Sequence, residues 1–191
     1  MEATLLVLAG GESRRMGRPK AWLEVGDTVL LRYVAERLAP AFSEVMVSFA
    51  EPEQLEHHVP YRVVFDRYRM AGPLAGLEAG LVAARNEVLF AIGCDMPYVT
   101  QSLAQLAVAA ARSSDAAIPR HEGIFEPVCG AYRKTALPAI VSALDAGRLV
   151  AHDVAEYLDV TWIEGQDPGQ FESLNTRSDF ERFNAELSAP R

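Results

Sequence analysis

Leu6-Val7-Leu8-Ala9-Gly10-Gly11-Glu12-Ser13-Arg14-Arg15-Met16-Gly17-Arg18-Pro19-Lys20 is the stretch on which the reading of this chain turns. An apolar run stops at two glycines, and four cations, Arg14, Arg15, Arg18 and Lys20, follow within ten residues. A continuous Leu/Val run without polar alternation suits a strand buried on both faces of a sheet. Gly10 and Gly11 can take backbone angles closed to other residues, and they present bare N–H groups at close range. The net charge of the protein is −8, so a basic loop needs a local reason, and a polyphosphate supplies one. Spacing excludes the two common nucleotide loops. Gly11 and Gly17 are one residue too far apart for G-x-x-x-x-G-K-[ST], and adjacent glycines do not make G-x-G-x-x-G. The competing reading is a plain Gly/Arg turn between a buried strand and a surface helix.

Around that loop, the composition is ordinary for a globular chain: 191 residues, 50% hydrophobic and 23% charged. That length supports one sizeable core, so a single domain over 1–191 is expected. The acidic balance argues against nucleic acid or an anionic membrane as partner. No apolar run reaches spanning length, and Met1-Glu2-Ala3-Thr4 leads straight into a strand, so the cytoplasm is the expected location. Cys94 and Cys129 both lie inside apolar runs and read as reduced core thiols, not as a disulfide or a zinc site.

In chain order, Thr4–Ala9 is the first strand. A small Gly26-Asp27 turn follows, then a helix from Val29 to Leu38 with Leu30, Val34 and Leu38 at helical spacing and Pro40 beyond its end. Glu44–Phe49 and Tyr61–Phe65 read as strands with a short polar helix, Pro52–His58, between them. Gly72-Pro73 opens a helix to Ala84, and Val88–Gly93 is a further buried strand. Thr100 caps a helix through Ala111. Ala116–Pro119 and Pro127–Tyr132 are shorter strands, Lys134–Ala146 is a helix ended by Gly147, and Ala151–Tyr157 is another. Val160–Ile163 is the last strand, and Thr176 and Asp179 have capping-box spacing before a final helix, Phe180–Leu187. Strands alternating with helices predict one α/β domain with a mainly parallel sheet.

Ligands of such sheets sit beyond the carboxyl ends of the strands. Three stretches meet that condition: Gly10–Lys20, Asp66–Gly76 and Cys94–Pro97. A carboxylate directly after a buried strand, as at Asp95, is costly without something positive to meet it. Magnesium fits, because it is satisfied by one or two protein carboxylates, phosphate oxygens and water; an Asx-type turn with Pro97 is the structural alternative. Asp66 could accept hydrogen bonds from a base or ribose, or serve only as a turn residue. Lys20 could hold phosphates as a point charge, or be one exposed lysine among many. His57 and His58 read as solvated, His121 lies in a polar loop, and His152 is near a helix start. None shows a partner at ligand spacing.

The motif Leu8-Ala9-Gly10-Gly11-x-Ser13-Arg14-Arg15-Met16-Gly17 with Lys20 closely resembles the signature of the molybdenum cofactor guanylyltransferases. The likeness continues with Asp66 before Gly72-Pro73-Leu74-Ala75-Gly76, with Cys94-Asp95-x-Pro97-Tyr98, and with Phe171-x-x-x-Asn175-Thr176-x-x-Asp179. The resemblance implies the nucleotide-diphospho-sugar transferase fold, a Rossmann-like three-layer α/β/α arrangement with a mainly parallel mixed sheet. It implies GTP, magnesium and molybdopterin (or its molybdenum form) as ligands, with cofactor-delivery or acceptor proteins as possible partners. Carried over, it assigns Leu8, Ala9, Gly10 and Gly11 to nucleotide contact and Lys20 to the phosphates. Asp66 then binds the nucleotide, Asp95 binds nucleotide and magnesium, and Asn175 belongs to the pterin side. Two positions depart from the family pattern. Ala50 stands where an Asn often follows the second strand, and the Asn-x-Asn of the last motif is Ser173-Leu174-Asn175, with Arg177 in place of the usual Pro.

The implied chemistry is in-line attack of a pterin phosphate on the α-phosphorus of GTP, with pyrophosphate leaving. It asks mainly for positioning and charge neutralisation. Lys20 and Arg15 would offset charge on the departing pyrophosphate, and Asp95 would carry the metal. Related cytidylyltransferases have Ala-Ala-Gly where this chain has Ala9-Gly10-Gly11; the Gly-Gly form looks like the guanine-using branch, an absent Cβ leaving room for a larger base. A molybdopterin cytidylyltransferase, another small nucleotidyltransferase, and a non-catalytic nucleotide-binding protein stay open as alternatives.

Overall fold

The computed structural model describes residues 1–11, 19–121 and 123–188. In chain order the elements are β1 (Thr4–Leu8), a two-stranded hairpin of β2 (Glu24–Val25) and β3 (Thr28–Val29), α1 (Leu30–Leu38), β4 (Glu44–Phe49), β5 (Arg62–Phe65), α2 (Pro73–Ala83), β6 (Val88–Gly93) and α3 (Gln101–Ala110). The second half adds β7 (Ala116–His121), β8 (Ile124–Phe125), β9 (Cys129–Arg133), α4 (Leu137–Asp145), α5 (Ala151–Val154), β10 (Val160–Ile163) and α6 (Arg177–Ser188). The large sheet runs β10-β7-β9-β6-β1-β4-β5, with β8 paired to β7. β6, β1, β4 and β5 pair in parallel, as do β7 and β10, while β9 and β8 run antiparallel to their neighbours. This is the mainly parallel mixed sheet expected from the sequence.

β1 shows why the opening run had to be apolar throughout. Successive side chains of a strand point to opposite faces: Leu5 and Val7 pack with α1 and α3 on one side, and Leu6 packs with α2 and α4 on the other. All three are fully buried, each worth about 2 kcal/mol of removal from water. The two apolar layers, with helices outside them, make the three-layer sandwich. α6 joins the first layer through Phe183, whose ring meets Tyr33 and Tyr98 edge-on at 5.3 and 5.4 Å.

α2 lies tight against the sheet. Gly72, at φ +62°, turns the chain into Pro73. A Cβ on Gly76 would lie 2.8 Å from Leu8, and one on Gly80 would fall inside contact distance of Leu6. These two glycines, one turn apart, are what let the helix settle onto β1. Thr100 caps α3, accepting from the N–H of Leu103 at 3.3 Å.

Several local expectations change, and the strand expected from Pro127 starts at Cys129. The polar segment after β4 makes only a single 3-10 turn, Pro52–Gln54, because Pro52 starts it and the capping Gln54 also ends it. The last helix starts at Arg177, three residues before the expected Phe180. Thr176 and Asp179 bond reciprocally (Thr176 N–H to Asp179 at 2.8 Å, Asp179 N–H to Thr176 at 3.2 Å), which makes Thr176 the cap and the next residue the first of the helix. His121 ends a strand, not a loop, since β7 extends past Pro119 to pair with β8. Cys94 and Cys129 are free and buried. No helix among the described residues is long and apolar enough to cross a membrane.

Candidate active site

Because β1, β4, β5 and β6 run parallel, their carboxyl ends share one edge of the sheet. Hydrogen bonding continues past the strands and fixes the residues that follow them. Ala9 N–H donates to Ser48 O at 2.8 Å, Cys94 N–H to Leu8 O at 3.0 Å, and Asp66 N–H to Phe49 O at 3.0 Å. The three stretches singled out from sequence therefore meet on a common rim.

At its centre the Lys20 ammonium donates to the Asp95 carboxylate and to the Asn175 side-chain oxygen, each at 2.7 Å. Residues 75 and 155 positions away in the chain thus converge on one cation. Lys20 and Asp95 are about four-fifths covered, at 19% and 24% side-chain exposure, so neither charge is fully solvated. The last segment arrives here because Phe171 and Leu174 are buried and Leu174 N–H donates to Asp95 O at 2.8 Å. Arg15, the other cation assigned to the pyrophosphate, lies outside the described residues.

Gly10 and Gly11 divide the work differently from the sequence reading. A Cβ on Gly10 would stand 2.7 Å from the Ala50 backbone nitrogen, so the space left by its missing side chain is filled by β4's continuation and is not open to a base. Around Gly11 a Cβ would meet nothing within 4 Å among the described residues. Gly10 is thus the tightly packed one of the pair.

Gln54, not singled out from sequence, ties this corner together. Its side-chain oxygen accepts from the N–H groups of Ala50 (2.8 Å) and Glu51 (3.3 Å), its amide reaches the Gly10 carbonyl at 3.4 Å, and its backbone oxygen accepts from the Trp22 indole at 2.7 Å. Its signal was the Glu51-Pro52-Glu53-Gln54 capping spacing.

Asp66 is half-buried at the end of β5 and accepts from the Ser48 hydroxyl at 3.0 Å. Burial pushes its pKa up to about 6; the Ser48 hydrogen bond opposes that rise and the Glu78 carboxylate adds to it. Glu78 is fully buried in α2 and paired with Arg67. One charged residue within the apolar run Pro73–Ala83 was the sequence sign of that pair.

On the other side of Asp95 stands a second half-buried carboxylate, Glu126. Burial raises its pKa, the charges of His121 and His152 oppose the rise, and Asp95 adds to it. His121 stacks on Phe171 at 5.3 Å with ring planes 4° apart, and His152 packs against Phe125 at 4.3 Å. His57, read as solvated, leans edge-on against Trp22 at 5.1 Å.

Asp95 offers one hard carboxylate beside a neutral amide oxygen, and the described residues contain no cluster of three metal-ligating side chains. That donor set suits a magnesium-type ion completed by phosphate oxygens and water.

The model of the MobA-like NTP transferase domain matches residues 5–169. The chain belongs to this family. A "probable molybdenum cofactor guanylyltransferase" of Methanosarcina mazei is 35% identical over 93% of this chain and 88% of its own length. A molybdenum cofactor guanylyltransferase of Syntrophotalea carbinolica is 33% identical over 93% and 89%. In fold, the chain is similar to the crystal structure of molybdopterin-guanine dinucleotide biosynthesis protein A from Archaeoglobus fulgidus, with a TM-score of 0.85 and 22% identity covering 97% of this chain and 98% of that one. As a MobA-like NTP transferase, the chain has the nucleotide-diphospho-sugar transferase fold. Its matched region takes in the glycine loop, Lys20, Asp66 and Asp95, while Asn175 lies beyond it.

Proposed function

We propose that this chain is a molybdenum cofactor guanylyltransferase: one cytoplasmic domain that transfers GMP from GTP to the terminal phosphate of molybdopterin or its molybdenum form, releasing pyrophosphate. The observation that carries the reading is the meeting of Lys20, Asp95 and Asn175 at 2.7 Å distances, in a family whose named relatives are guanylyltransferases.

The nucleotide lies over the β1, β4 and β5 ends, against Leu8, Ala9, Gly10 and Gly11, with Asp66 accepting from it. Gly11 offers its backbone N–H to phosphate with no side chain of its own in the way. Lys20 offsets the charge that builds up on the leaving pyrophosphate, and its ammonium is already aimed by Asp95 and Asn175, so little reorganisation is needed. Arg15 contributes a second positive charge to the same group. Asn175 serves the acceptor side. Asp95 would hold Mg2+, which when bound neutralises phosphate charge. In the transfer, an acceptor phosphate oxygen forms a bond to the α-phosphorus as the bond from that phosphorus to the pyrophosphate oxygen breaks. A phosphate monoester is largely ionised at neutral pH, so no general base is required.

The test is pyrophosphate release by purified protein given molybdopterin and each nucleoside triphosphate in turn. GTP is expected to support turnover and CTP to give little; a clear CTP preference overturns the guanine assignment, and no release with any nucleotide overturns the enzyme reading.

A further inference from the structure

The turn from Glu126 to Val128 breaks the strand pairing beside the site. On β7, Ala117 pairs with Ala131 and Arg120 with Phe125, so two residues of β7 face five of the returning strand. The surplus is pushed toward the end of β6, where Gly93 N–H donates to Val128 O at 3.1 Å. Cys129 N–H closes the turn on Glu126 O at 2.9 Å, and the buried Tyr132 hydroxyl holds Pro127 O at 2.6 Å. Extra residues in a ladder next to a site re-aim a side chain, and here the charged one is Glu126.

Its carboxylate is half-buried and has no hydrogen-bond donor among the described residues. The charged or titratable groups that face it are His121 on β7, His152 on α5 and Asp95 after β6. A partly desolvated acceptor of this kind is costly until a donor meets it. The sheet order bears on which substrate can do so. The glycine loop and Asp66 follow β1 and β5, on one side of Asp95, whereas Glu126 lies with β7 and β9 on the other. An acceptor attacking from opposite the leaving group comes over that second half. Aromatic rings accompany that half of the sheet: His121 stacks on the buried Phe171, and Phe125 lies between His152 and Trp162, 5.0 Å from the latter.

We propose that Glu126 is the acceptor-side specificity residue, its carboxylate accepting two N–H bonds from the 2-amino-4-oxopyrimidine edge of the pterin ring. The proposal rests on the guanylyltransferase reading. That edge carries the N2–H and N3–H donors side by side, and an ionised carboxylate is an acceptor-only group with two oxygens, so the match is bidentate and charge-assisted. Guanine carries the same donor pair, and Asp66 is the half-buried carboxylate on its side. A product with a 2-aminopyrimidinone at each end meets a carboxylate at each end.

The experiment compares wild type with Glu126→Gln in GMP transfer. It adds competition by 7,8-dihydropterin against 7,8-dihydrolumazine, which has oxygen in place of the 2-amino group. The KM for molybdopterin is expected to rise about tenfold or more in the variant, with kcat and the GTP KM within about twofold. Wild type should favour dihydropterin about tenfold, and the variant should lose that preference. An unchanged acceptor KM, or a changed magnesium requirement, overturns the assignment. Should the variant lack a normal melting transition, the wild-type inhibitor ratio alone decides, and a ratio near one overturns it. Absence of transfer by wild type defeats instead the guanylyltransferase reading.

Discussion

At the scale of single residues, Asp66 joins stability and binding with opposite signs. Its folded pKa, near 6, is above the ordinary carboxylate value, so the folded state opposes its ionisation. Between about pH 4 and pH 6 the unfolded chain binds fewer protons at this group than the folded one. Its contribution to stability is therefore fully present below about pH 4 and is lost as pH rises through about 6. Binding runs the other way if the ionised form accepts from the nucleotide. The ionised fraction falls about tenfold between pH 7 and pH 5, and the KM for GTP should rise by a similar factor. Asp66→Asn should raise the KM and flatten that pH dependence, while giving an equal or higher Tm at pH 7. A lower Tm with an unchanged GTP KM would make Asp66 structural. Asp66, Lys20, Asp95 and Asn175 were all legible in the sequence, because a charged or amide residue at the end of an apolar run, or in a motif, is visible without coordinates. Ser48, Gln54, Glu78 and Glu126 were not singled out, since what marks each is a partner distant in the chain or a turn between strands.

Among the elements, α2 makes a tightly determined contact with β1. A Cβ at Gly76 would press on Leu8 and the Ser48 hydroxyl and would stand 3.4 Å from the Asp66 carboxylate. Ala is the better helix former, by up to about 1 kcal/mol, yet overpacking a filled core costs about 1–3 kcal/mol. The second effect should win. Gly76→Ala is expected to lower stability by about 1–2 kcal/mol in denaturant unfolding and to raise the GTP KM with little change in kcat, because Ser48 and Asp66 move together. A stabilised variant would contradict this packing. The helix itself was readable from Gly72-Pro73 and its apolar run, but its depth against β1 was not. Likewise the strand signals marked β7 and β9 without revealing the extra residues at Glu126–Val128, since pairing register is a property of two segments at once.

For the whole molecule, the sequence exposed the layering because a continuous apolar strand can only sit between two covered faces, and β1 does. It did not expose the sheet order, which puts the glycine loop and Asp66 on one side of Asp95 and Glu126 on the other. That arrangement makes Asp95 the residue on which the account turns. The most direct measurement is pyrophosphate released from GTP and molybdopterin, with and without Mg2+, by wild type and by Asp95→Asn of matching Tm. The account predicts magnesium-dependent release by wild type and a loss of at least about a hundredfold in the variant. Turnover at the wild-type rate by a folded Asp95→Asn protein would contradict it.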